Sequence, residues 1–188
     1  MPTRSVERLE QRGPFIAPAI KRDDVFFGEV TTPETLEGLM DGIDIVYSSV
    51  GISRQRDGLT FKQVDYQGNR NLIDLCERAD VKKFVYVSMQ GVENILNLAI
   101  TGTRERVVKD LQASSMDYAI VRPCGFFSDL GMTLHMAKKG RVYLIGDGNN
   151  KMSPIHGADI AIVYADAAED DVFEVEAGGP GGFYCHCR

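Results

Sequence analysis

The residues with chemical potential gather at the ends of three apolar runs. Asp44-Ile-Val-Tyr-Ser-Ser-Val-Gly51 passes from Ile45, Val46 and Tyr47 into Ser48, Ser49 and Gly51. Lys83-Phe-Val-Tyr-Val-Ser88 ends on a hydroxyl, and Tyr118-Ala-Ile-Val-Arg-Pro-Cys-Gly125 on a guanidinium, a thiol and a glycine. Small polar exits let a ligand come close to backbone, and open parallel sheets bind ligands at the carboxyl ends of their strands. The Ser88 hydroxyl can polarise a carbonyl, or it can simply cap nearby backbone. Cys124 is either a reactive thiol or a packing residue, and Arg122 is the one base beside it. Tyr66, Tyr86 and Tyr118 are alternative proton donors, although Tyr86 and Tyr118 lie inside strand runs and read as core aromatics. His156 precedes a helix start and reads as a loop-fixing histidine, since an acid–base pair needs a second group. Cys185-His186-Cys187 does not supply four well-spaced zinc ligands, so no metal is expected.

These groups need a scaffold. Short apolar runs bounded by turn residues read as strands buried on both faces. Val25-Phe-Phe-Gly28, Arg141–Ile145 and Val172–Glu176 add further strands. Thr32-Pro33-Glu34 starts a helix, with Thr as cap and Pro at the first position. Leu36, Leu39 and Met40 give its buried stripe, and Gly42 ends it. A second helix runs over 61–79, with Val64, Leu72, Leu75 and Cys76 inward and Gln67, Asn69 and Asn71 elsewhere. Others are expected over 94–113, around Leu130–Lys138, and from Pro154 to Ala168. Alternating strands and helices predict an α/β fold, a parallel doubly wound sheet with helices on both faces. Gly178–Gly182 reads as a loop ending the order, so the expected division is one domain over 1–180 and an irregular tail over 181–188.

The 188 residues suffice for one sizeable core, and 44% hydrophobic with 26% charged residues is ordinary globular composition. A net charge of −6 argues against a general nucleic-acid binder. No apolar run approaches the roughly 18–20 residues of a membrane span. The charged N-terminus lacks a signal-peptide core, so a cytoplasmic protein is expected.

The carrying stretches are Gly28–Glu34, Gly42–Gly51, Val64–Asn69, Lys83–Ser88, Asp117–Pro123 and Pro154–Ile160. In this order and spacing the chain resembles the atypical, NmrA-like branch of the short-chain dehydrogenase/reductases over roughly residues 3–180. The resemblance implies a Rossmann-like fold binding NADP or NAD, acting on a small-molecule substrate. It places Glu29 and Val30 beside the adenine, and Ser48, Ser49, Val50 and Gly51 along its ribose. Ser88 falls near the nicotinamide, where Pro123, Cys124, Gly125 and Phe126 would also pack. Arg4 matches the basic residue that pairs with a 2′-phosphate in NADP-preferring members, which tips the expectation toward NADP.

Three departures accompany the resemblance. The sheet lacks its first strand and its Gly-x-x-Gly-x-x-Gly turn, whose amides would hold the pyrophosphate. Arg104 stands at the catalytic lysine position and Ile100 at the tyrosine position. Arginine holds ribose hydroxyls but relays no proton. The tail after Pro180 departs from the family's pattern. Three readings follow: an NAD(P)H-dependent oxidoreductase using Ser88 and Arg104, a non-catalytic dinucleotide-binding or regulatory protein, or an inactive fragment. The missing strand also leaves Val25–Gly28 without a neighbour and Ile43–Val50 as an apolar edge. Direct pairing of these two strands, or a homodimer through the edge, would repair it.

Overall fold

The computed structural model describes residues 2–3, 25–52, 55, 58–92, 95–143, 147, 149, 153–169, 173–179 and 182–187. The main sheet contains β3 (Ile45–Ser48), β4 (Lys83–Val87), β5 (Asp117–Pro123), β6 (Phe173–Gly179) and β7 (Gly182–Cys187), in that spatial order. β3 to β6 are parallel, with Ser48 opposite Tyr86, Val87 opposite Val121, and Val121 opposite Val175. The parallel α/β sheet is therefore the expected Rossmann-like one.

The helices cover both faces. A π-helix over Lys62–Gly68 passes directly into α1 (Asn69–Arg78). α1 and α2 (Ala99–Gln112) pack Leu72, Ile73, Val107, Val108 and Leu111 onto Phe84, Tyr86 and Ile120. α4 (Gly157–Glu169) packs Ile160, Val163 and Ala167 onto Val85, Ala119 and Val121 on the other face. The alternation of 84, 86 and 120 against 85, 119 and 121 is the period of two expected of a strand buried on both sides. Each such apolar side chain taken out of water contributes about 1.5–3 kcal/mol. α3 (Leu130–Lys138) forms where the sequence places it.

Several expectations are corrected. β1 (Pro2–Thr3) pairs in parallel with β2 (Phe26–Phe27), so β2 does have a neighbour. These two strands form a separate sheet, and β2 does not pair with β3. Pro33–Leu36 is a single 3-10 turn rather than a longer helix, and Thr32 makes no side-chain cap. Arg141–Tyr143 lie in no strand. The rest of that expected strand lies outside the described residues. The segment over 182–187 is not irregular. The end of the parallel sheet offers a free edge, and β7 pairs antiparallel along it from Gly179 opposite Gly182 to Phe173 opposite Cys187.

Candidate functional site

The three exits converge on one side of the sheet, because β3, β4 and β5 run parallel in register. The exit of β3 is held by the helix that follows. Ser48 is buried, and its Oγ donates to Asn69 Oδ1 at 2.5 Å. The Val50 amide donates to Ser48 Oγ at 3.3 Å, and Asn69 Nδ2 donates to Val50 O at 3.0 Å. Asn69 Nδ2 also reaches Asp65 O at 2.7 Å. Two residues further, Asn71 Nδ2 donates to Val30 O at 2.8 Å and so fixes the exit of β2. Gly68 lets the helix approach that exit, since a Cβ there would stand 3.0 Å from Val30 Cγ2. Asn69 and Asn71 are both buried, against the expectation that they lie off the packed face.

Asp65 forms the second layer. Its Oδ2 accepts the Ile52 amide at 3.0 Å, and its Oδ1 lies 3.3 Å from Arg104 Nε. Burial holds the Asp65 carboxyl above the usual carboxylate range, and the Ile52 amide and Arg104 offset only part of that. Gly51 sits directly on this pair. A Cβ there would come within 2.8 Å of both Arg104 Nη2 and Asp65 Oδ1, so the glycine answers an internal contact. Tyr86 is fully buried beside these charges, and its hydroxyl has no hydrogen-bond partner among the described residues. Burial keeps its phenol well above the ordinary tyrosine value.

Arg122 organises the neighbouring exits. It is 5% exposed at the end of β5. Its Nη1 donates to Glu105 Oε2 at 3.1 Å and to Ser88 Oγ at 3.3 Å, and its Nε donates to Glu174. Ser88 is itself buried, so its hydroxyl faces Arg122 rather than the opening. The Gln90 amide donates to Pro123 O at 3.1 Å, which ties the exit of β4 to that of β5. Gly125 O accepts the Ile155 amide at 2.9 Å. His156 Nδ1 accepts the Ala158 amide at 3.1 Å, which is the loop-fixing role expected of it.

The outer rim is open. Ser49 and Gly51 are exposed, and Glu29, Val30, Val50, Cys124, Gly125 and Phe126 are half-buried, while Pro123 is buried beneath them. The chain has no glycine-rich turn for the pyrophosphate, and Arg4 lies outside the described residues. Ile100 offers no proton and Arg104 is held by Asp65, so these two positions present no acid–base pair. Among the described residues no cluster of His, Cys, Asp or Glu could hold a metal.

The family model described as NAD(P)H-binding matches residues 3–171. The chain belongs to this NAD(P)H-binding family. Its cofactor class is therefore NAD or NADP, and the atypical short-chain dehydrogenase/reductase resemblance holds. Among its relatives is a protein of Trieres chinensis named Photosystem II assembly factor Ycf39, 35% identical over 107 residues, covering 57% of this chain and 33% of that one. Another is the chloroplastic divinyl chlorophyllide a 8-vinyl-reductase of Arabidopsis thaliana, 31% identical over 172 residues, covering 84% of this chain and 41% of that one. The chain thus spans about a third to two-fifths of the length of these curated relatives. In fold it is similar to a nucleoside-diphosphate-sugar epimerase of Staphylococcus aureus, with a TM-score of 0.72 and 15% identity over 98% of this chain and 62% of that one. It is also similar to the Bordetella bronchiseptica enzyme WbmH in complex with NAD+, with a TM-score of 0.70 and 12% identity over 85% of this chain and 62% of that one.

Sequence reasoning missed Asp65, Asn69, Asn71, Glu105 and Arg122 as the residues that set the site. One signal was available. Arg122 interrupts an otherwise apolar strand, and a charge placed there needs a buried partner.

Proposed function

We propose that this chain is the dinucleotide-binding portion of an atypical short-chain dehydrogenase/reductase, acting with NADP in preference to NAD on a small-molecule substrate. The observation that carries this reading is the convergence of the three strand exits on one open rim, fixed from beneath by Asn69, Asp65 and Arg122. The cofactor, when bound, supplies the hydride. The residues of this chain hold it. Ser49, Val50 and Gly51 meet the adenosine side, with Glu29 and Val30 beside them. Cys124, Gly125 and Phe126 meet the nicotinamide side. Arg122 takes up a lone pair of Ser88, and the Ser88 O–H is left as a donor for a substrate carbonyl. The NADP preference rests on Arg4 in the sequence.

A second reading, a dinucleotide-binding protein without turnover, is favoured by Ile100 and by the Arg104–Asp65 pair. A cytoplasmic location belongs to the same proposal, supported by the free thiols of Cys76 and Cys124. So does a homodimer through the outer edge of β3, where Ile43 and Tyr47 are exposed. Nucleic-acid and membrane partners form no part of it.

The test is calorimetric titration of NADPH, then NADH, into the chain, followed by a search for cofactor oxidation with carbonyl substrates. Saturable binding with NADPH the tighter ligand is the expected result. Binding without oxidation selects the second reading, and a folded chain that binds neither refutes both.

A further inference from the structure

A groove of about 450 Å³ opens between the start of the π-helix and the start of α2, away from the rim described above. Its walls include Phe61, Leu96 and Leu98, with Lys62, Thr103 and Arg106. Leu96 and Leu98 are 48% and 51% exposed, and Ile95 beside them is 48% exposed. Large apolar side chains left in water side by side mark a binding surface more than isolated ones do. The charges are as telling. The chain carries −6 overall, yet no described residue lining this groove is a carboxylate, and two are cations. Neither Lys62 nor Arg106 is ion-paired among the described residues. Arg106 is also pre-positioned, with its guanidinium 3.9 Å above the centre of the Tyr66 ring. That stacking holds the plane of the guanidinium and leaves its edge N–H groups to donate. Leu98, the residue before α2, makes no side-chain cap, so the first amides of a fourteen-residue helix add to the positive potential.

We infer that this groove binds an amphipathic anion, a small molecule with a flat apolar body and a carboxylate. The body would lie against Phe61, Leu96 and Leu98. The carboxylate would take charge-assisted hydrogen bonds from Arg106 and Lys62, which are about twice as strong as neutral ones. The inference does not depend on dinucleotide binding, because neither cation belongs to the rim.

The probe is 2-naphthoate, titrated into the 15N-labelled chain, with 2-naphthylmethanol as its uncharged counterpart. A ligand of this size is expected to bind with a Kd of about 1 mM. Amide shifts should concentrate at residues 60–62 and 96–106, and the alcohol should bind about tenfold more weakly. Lys62 is exposed and structurally idle, so Lys62→Gln should weaken naphthoate several-fold without changing thermal stability. Arg106→Gln should weaken it about tenfold, with its fold checked by the same spectrum. Equal binding of acid and alcohol, shifts centred elsewhere, no saturation, or an unchanged Kd in Lys62→Gln and Arg106→Gln would each overturn the inference. Failure to bind NADPH in the same sample bears only on the proposed function.

Discussion

Asn69 offers the sharpest test of how the rim is held. It is fully buried, accepts from Ser48 Oγ, and donates to Val50 O and Asp65 O. Asn69→Ala leaves the Ser48 O–H without its acceptor and the Val50 carbonyl without its side-chain donor. A stranded buried polar group costs about 1–3 kcal/mol. Two of them, discounted because Val50 is half-buried, amount to about 3 kcal/mol. With a urea slope of about 2–3 kcal/mol per molar, the unfolding midpoint should fall by about 1–1.5 M at an unchanged slope. Asn69→Asp keeps the acceptor for Ser48 but loses both donated bonds and buries a carboxylate. It should destabilise at least as much at neutral pH, and recover part of the loss in acid, where the new carboxyl is protonated. Urea unfolding followed by circular dichroism measures both variants. A midpoint shift under about 0.3 M for Asn69→Ala would show that the exit of β3 is fixed by something other than this side chain.

Arg122→Met leaves Glu105 and Glu174 without their shared cation, and should cost about 3–5 kcal/mol in the same assay. Replacing both glutamates by glutamine in that background should restore part of it. Asp65 is predicted to carry a pH signature. Its carboxyl is raised above the ordinary value of 3.8, so its contribution is fully present below pH 3.8 and is lost as pH rises through the folded-state value. The stability of Asp65→Asn relative to the parent should therefore increase with pH across that window, and a flat difference would contradict the burial argument. Cys76 is buried, and its thiol is pushed up to about 12, so it should resist iodoacetamide in the native chain while half-exposed Cys124 is labelled, as read by peptide mass spectrometry. If β3 pairs across a dimer, Tyr47→Lys should lower the mass measured by sedimentation, and a parent that sediments as a monomer disposes of the edge pairing.

Much of the scaffold was legible in the sequence, for a local reason. The runs at Ile45–Ser48, Lys83–Val87 and Asp117–Pro123 are apolar, β-favouring and bounded by turns, which is enough to announce a strand, although β3 lies at the sheet edge and leaves Tyr47 exposed rather than buried on both faces. The helix over 94–113 was equally plain, as was Cys76 in the core. The small exits at Ser49–Gly51 and Cys124–Phe126 lie, as expected, at the carboxyl ends of the parallel strands.

What the sequence could not display are pairings between distant residues. Asn69 and Asn71 look like surface residues in a helical pattern, but their partners are carbonyl groups 19 and 41 positions away. The sequence shows no partner for Asp65, Arg104 or Arg122, and folding commits Arg104 to an internal pair with Asp65 rather than to the ribose, and turns Ser88 toward Arg122. The segment over 182–187 shows the same limit. Its glycine-rich approach suggests an end to order, and only the free edge of β6 makes it a strand. Local patterning determined most of the strands and helices and which small and polar residues stand at the strand exits. Tertiary structure decided which polar groups remain available there, because a buried donor or charge takes whatever partner the fold brings within reach.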